Sequence, residues 1–160
     1  SAHHEWHTDR VVEQVRTIVT GRSELAWTLT TSRRTPAAAL EALHTARLTG
    51  LSIVTSDRTE TGWLPLRLSR AREAWVTEDS VSMIYEALTS GASVGLIELS
   101  RIGSSRVTRG LDDMIARAMV TPMHAWRPPD PLPAPSEVLH ESRRCAQLLR
   151  DRGILPCPPN

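Results

Sequence analysis

The sequence predicts an α/β fold: a mostly parallel sheet of about five strands with helices on both faces, a three-layer α/β/α arrangement. Two observations predict it. Short β-branched and aromatic runs alternate with segments of about 10–15 residues that carry helical periodicity, the beat of βαβ units. Several helical segments are also bounded by their own chemistry, opening on proline or a cap-forming residue and closing on glycine.

Taken in order, "TDRVVEQVRTIVTG" places Val11, Val12, Val15, Ile18 and Val19 on one stripe, with Thr8 or Asp9 as cap and Gly21 as stop. "LAWTLTTS" (25–32) reads as a strand. Pro36 opens the helix "PAAALEALHTARLTG", which ends at Gly50, and "LSIVTSD" (51–57) is the next strand. In "TETGWLPLRLSRA", Pro65 argues for a loop leading at most into a short helix. The beat then resumes with strand "AWVTE", helix "SVSMIYEALTSG" closed by Gly91, strand "SVGLIEL" and helix "SRVTRGLDDMIARAM". "VTPMHAW" is a short, Pro-interrupted strand. "RPPDPLPAP" carries five prolines and reads as an extended linker over 127–135, ahead of a last helix through "SEVLHESRRCAQLLRDRG".

A chain of 160 residues is one domain by size, long enough to bury roughly 70% of its unfolded surface. The net charge of +1 makes no field that draws the protein onto nucleic acid or an anionic membrane. Its basic residues are all arginine and lie scattered among the acids without aromatic interleaving, so nucleic acid is not an expected partner. Cys145 and Cys157 belong to no C-x-x-C pair and make no disulfide framework, so both read as structural. No apolar run reaches the length of a membrane span and no signal peptide opens the chain, which makes the cytoplasm the default location.

In open parallel sheets, ligands bind where strands lead into helix N-termini. Three such loops are unusual here. "TTSRRTP" puts Ser32, Arg33, Arg34 and Thr35 just before the helix that begins at Pro36. Backbone N–H groups, two hydroxyls and two guanidinium forks converge there, which suits a phosphate or diphosphate. The alternative is a Ser or Thr cap beside two solvated arginines. Arginine at a helix N-terminus opposes the dipole by roughly 0.3–1 kcal/mol, and that favours an anion. The second loop is "VTEDSVSMIYEA", whose candidate ligand-binding residues are Glu78, Asp79, Ser80, Ser82 and Glu86. Asp79 or Ser80 also reads as an N-cap, whereas Glu86 is a carboxylate on an otherwise uncharged helix and suits a diol such as ribose. The third, "SRIGSSRVTRG", has the composition of a flexible anion-binding segment.

His3, His4 and His7 have a metal-compatible spacing but sit at a chain start, and no metal is expected. The chain contains neither G-x-G-x-x-G nor a P-loop. His44, His124 and His140 define no Ser–His–acid order, so no catalytic residue is assigned. Trp63 reads as packing rather than as a platform for a base.

"LTTSRRTP", "VTEDSVSMIYEALTSGASVGLIEL" and "SRVTRGLDDMI", in that order, resemble the C-terminal half of the bacterial relatives of the plant mitochondrial-fission (elongated-mitochondria) protein. The resemblance implies the Rossmann-like C-terminal domain of a two-domain, GT-B-type glycosyltransferase. A nucleoside-diphosphate sugar would then bind as substrate, with no separate cofactor. The acceptor would bind to an N-terminal domain outside this chain, leaving the isolated domain inactive. By the same likeness Glu78 and Glu86 match a Glu-x7-Glu pattern, with Glu78 approaching the sugar, Glu86 the ribose, and Arg33 and Arg34 the diphosphate. "DSVSMIY" lacks the glycines that usually separate the two acids. The family's alternatives are a nucleoside-diphosphate-sugar epimerase and a non-catalytic adaptor for protein partners, and in every case the expected location is the cytoplasm or a membrane periphery.

Overall fold

A computed structural model describes residues 4–136 and 139 of the chain. Its elements run β1 (His4–Glu5), α1 (Thr8–Gly21), β2 (Trp27–Thr30), α2 (Ala37–Ala46), β3 (Leu51–Val54), α3 (Trp63–Leu68), β4 (Glu73–Thr77), α4 (Val81–Thr89), β5 (Ser93–Ile97), β6 (Ser100–Arg101), α5 (Arg106–Ala116) and β7 (Thr121–Pro122). The α/β class holds, and the five strands expected to be parallel all pair in parallel. They form two hydrogen-bonded groups, β2–β3 and β4–β5–β7, rather than one ladder. A short antiparallel pair, β1–β6, is an addition the sequence did not announce.

Alternation along β4 and β5 puts helices on both faces of the three-stranded group. Val76, Val94 and Leu96 face Ile84 and Leu88 of α4 and Leu111 and Met114 of α5, forming one core. Trp75 and Ile97 face the other way, onto the α1 stripe of Val11, Val15, Ile18 and Val19. The second core also takes Trp27 and Leu29 of β2 and Leu51 and Ile53 of β3, so side-chain packing joins the two strand groups. Because β5 is covered on both sides, it reads as a near-continuous apolar run. Gly95 lies opposite Trp75 in register, and a Cβ there would stand 2.4 Å from the indole. The Trp75 ring is held edge-on by Trp126, with centroids 5.1 Å apart.

Several boundaries differ from expectation for local reasons. His7, not Thr8 or Asp9, occupies the N-cap position of α1 and makes no cap bond with its side chain. The Thr8 hydroxyl instead accepts the Trp6 indole N–H at 3.2 Å. Helix α2 ends at Ala46 with Arg47 left-handed (φ 45°), earlier than Gly50. Gly50, at φ 83°, turns the chain into β3, and its carbonyl accepts the Trp27 N–H at 2.8 Å. The segment around Pro65 does form a short helix, α3, in which Trp63 lies under the Arg67 guanidinium at 5.3 Å. The expected strand at 120–126 shrinks to Thr121–Pro122 and passes into a 3-10 turn, Met123–Ala125. The proline-rich segment contains no helix or strand through 135 and packs closely: Leu132 is buried, and its N–H donates to Glu73. The last expected helix, with Cys145, and the tail with Cys157 lie outside the described residues except at 136 and 139.

Candidate functional site

The carboxyl ends of β4 and β5 open onto a cleft of about 930 Å³. One wall is the flank of α1 that carries Asp9, Arg10, Glu13, Gln14 and Thr17. These recur three or four residues apart, beside the buried stripe, so burying the stripe aims them at the cleft. The floor comes from the chain just beyond the strands (Glu78, Glu98, Leu99, Arg101), and the far wall from Asp112 and Ile115 of α5 with Met123 and His124.

Glu78 is 3% exposed and fully engaged. One carboxylate oxygen accepts the Leu99 N–H at 3.2 Å, the other the Arg101 guanidinium at 2.9 Å. Arg101 also pairs with Asp112. The hydrogen bonds to Glu78 and then to Asp112 hold the guanidinium's pKa above its ordinary value, against the opposing effect of burial. This clamp ties the end of β4 to the β5–β6 connection and to α5. Gln14 does the same for the end of β5: its amide donates to the Glu98 carbonyl at 2.9 Å and accepts the Glu98 N–H at 2.8 Å. With its backbone so fixed, Glu98 presents its carboxylate to His124 Nδ1. Arg10 reaches across to the Ser100 hydroxyl at 3.1 Å.

The residues of the β2–α2 turn do not line the cleft. The Thr35 hydroxyl accepts the Ser32 N–H at 2.9 Å, the Ser32 hydroxyl accepts the Arg34 N–H at 3.2 Å, and the Thr35 N–H closes onto the Ser32 carbonyl at 3.0 Å. That folds the four residues into a tight turn ahead of α2. Arg33 and Arg34 are both exposed, and neither pairs with a carboxylate of the described residues. Past β4, Ser80 occupies the N-cap position of α4 without a side-chain cap bond, and its hydroxyl accepts from Thr77 Oγ1 at 3.4 Å. Asp79 Oδ1 is buried with no hydrogen-bond partner. Ser82 and Glu86 are exposed on α4. Of the nine residues singled out from the sequence, only Glu78 lines the cleft. In the third unusual loop, Gly103 is left-handed at φ 69° and Ser105 caps α5 in a reciprocal box with Thr108.

Sequence reasoning passed over Gln14, Glu98 and His124, and took Arg101 only as part of the anion-binding loop "SRIGSSRVTRG". A signal existed for Glu98 and Arg101, because "ELSR" follows the apolar run of β5 directly, where such sheets carry their sites. Gln14 had none, since a polar helix flank facing a cleft reads like one facing water. Among the described residues no group of three or more His, Cys, Asp or Glu is arranged to hold a metal ion, and no helix is long and apolar enough to cross a membrane. His4 is buried within β1, and His7 lies 3.4 Å from Glu5.

Parallel βαβ units, helices on both faces and a polar cleft at the carboxyl ends of the strands define a Rossmann-like α/β domain. The chain belongs to the family described as Mitochondrial fission ELM1, whose profile matches residues 1–153. No curated protein and no solved structure matches it.

Proposed function

We propose that this chain is the nucleotide-sugar-binding domain of a GT-B-type glycosyltransferase that works with a second, acceptor-binding domain. One observation carries the reading. Arg33 and Arg34 stand exposed and unmatched by any carboxylate of the described residues, on a hydrogen-bonded turn at the N-terminus of α2. Two cations beside the positive end of a helix dipole repel one another and the dipole, and a diphosphate relieves both. Glu86 supplies the acceptor for a ribose diol, while Glu78, engaged by Arg101 and Leu99, shapes the edge of the cleft instead of touching ligand.

The test is calorimetric titration of uridine and other nucleoside diphosphates into the wild type and into Arg33→Ala, Arg34→Ala and Glu86→Gln. A charge-assisted hydrogen bond contributes about 1.5–3 kcal/mol, so either arginine variant should bind roughly ten- to a hundredfold more weakly. Glu86→Gln should weaken ribonucleotides but not a 2′,3′-dideoxy analogue. Wild-type protein that binds no nucleoside diphosphate at millimolar concentration ends this reading.

A second reading, a non-catalytic adaptor for protein partners, draws on the family's fission role and on an apolar groove between α4 and α5. Tyr85 (41% exposed) and Val107 (38% exposed) line that groove with Val81, Leu111 and Met114. Nucleotide affinity separates the two readings.

A further inference from the structure

Among the described residues, the Glu98–His124 pair is the one place in the cleft where a carboxylate and an imidazole meet directly. Its construction is specific. Gln14 holds both backbone polar groups of Glu98, and the Arg127 guanidinium donates to the His124 carbonyl at 2.6 Å, so both partners are anchored through their main chains. The Glu98 carboxylate is one third exposed, whereas the His124 ring is 71% exposed, with its Nδ1 edge on Glu98. A carboxylate can only accept, so Nδ1 carries a proton, and in the neutral ring Nε2 keeps its lone pair on the open edge. Of the other acids lining the cleft (Asp9, Glu13, Glu78 and Asp112), Glu78 and Asp112 are committed to Arg101 and Glu13 pairs with Arg16.

We propose that Glu98 and His124 form a proton-accepting pair, with His124 Nε2 taking the proton of an alcohol hydroxyl that enters the cleft. Glu98 is the positioning residue that sets the tautomer. The identity of the hydroxyl rests on the glycosyltransferase reading. The acceptor O–H bond breaks, its proton passes to Nε2, and the oxygen's electron pair forms a bond to the anomeric carbon. The bond from that carbon to the diphosphate breaks, and the diphosphate leaves with the electron pair.

Two measurements on the whole chain test the pair without requiring turnover. Imidazole nitrogen NMR at about pH 8.5, where an ordinary histidine is neutral, should show His124 as the Nδ1–H tautomer. Glu98→Ala should return it to the Nε2–H form a solvated imidazole prefers, and Glu98→Gln, which keeps an accepting oxygen, should retain part of the Nδ1–H population. Carbethoxylation followed by mass mapping should acylate His124 faster than His44, an exposed histidine on α2. That excess should vanish in Glu98→Ala. An Nε2–H tautomer in the wild type, or equal reactivity of His124 and His44, overturns the proposal. If uridine diphosphate fails to bind while the tautomer result stands, the pair remains a proton acceptor and only the sugar chemistry assigned to it falls.

Discussion

Arg101 joins groups that the chain supplies from three different places: Glu78 beyond β4, Asp112 on α5, and its own position in β6. Glu78 is buried, and Arg101 is its sole cationic partner among the described residues. Arg101→Met should therefore leave a buried carboxylate with only the Leu99 N–H, destabilising the fold by about 2–4 kcal/mol in a urea titration. This is below the full range for a buried pair, because the guanidinium is one third exposed. Adding Glu78→Gln should recover most of that loss, since the neutral amide no longer needs the cation. A carboxylate just past a strand is equally placed to bind substrate or to brace a loop, and here Glu78 braces the loop through Arg101 and the Leu99 N–H.

At the scale of single elements, the strongest constraint is the Trp75–Gly95 pair across β4 and β5. With Trp126 against the indole, a methyl group at 95 cannot be absorbed by rotating the ring. Gly95→Ala should cost about 2–3 kcal/mol, measured by chemical unfolding, and Trp75→Leu in the same chain should recover part of it. Helix α5 depends on its Ser105–Thr108 box, so Ser105→Ala should cost about 1 kcal/mol by the same measurement. Element identity was legible because periodicity and turn residues act locally. Ends were less so: α2 stops at a left-handed Arg47 that no propensity marks, and β7 is cut short by the 3-10 turn that follows Pro122.

For the whole molecule, a cleft open along its carboxyl edge has a consequence for activity. If the proposed enzyme closes a second domain over this edge, the 160-residue chain alone lacks the acceptor and the water-excluding wall. It should show no release of nucleoside diphosphate from any nucleotide sugar above a buffer control, by chromatography of the products. Steady turnover by the isolated chain would mean that the acceptor site is already present here.

The sequence by itself determined the α/β class, the parallel pairing, the helix faces and the family, because each depends on residue spacing or on ordered blocks such as "TSRRTP" and "TEDSVSM". It also marked Arg33 and Arg34, whose placement before a helix is a local fact. Only the tertiary structure decided that the strands divide into two groups, that Glu78 is braced by Arg101, and that Gln14, Glu98 and His124 meet. Those three residues lie on α1, beyond β5 and after β7. Burial of the α1 stripe against Trp75 and Ile97 brings them to one edge, and no spacing along the chain encodes that packing.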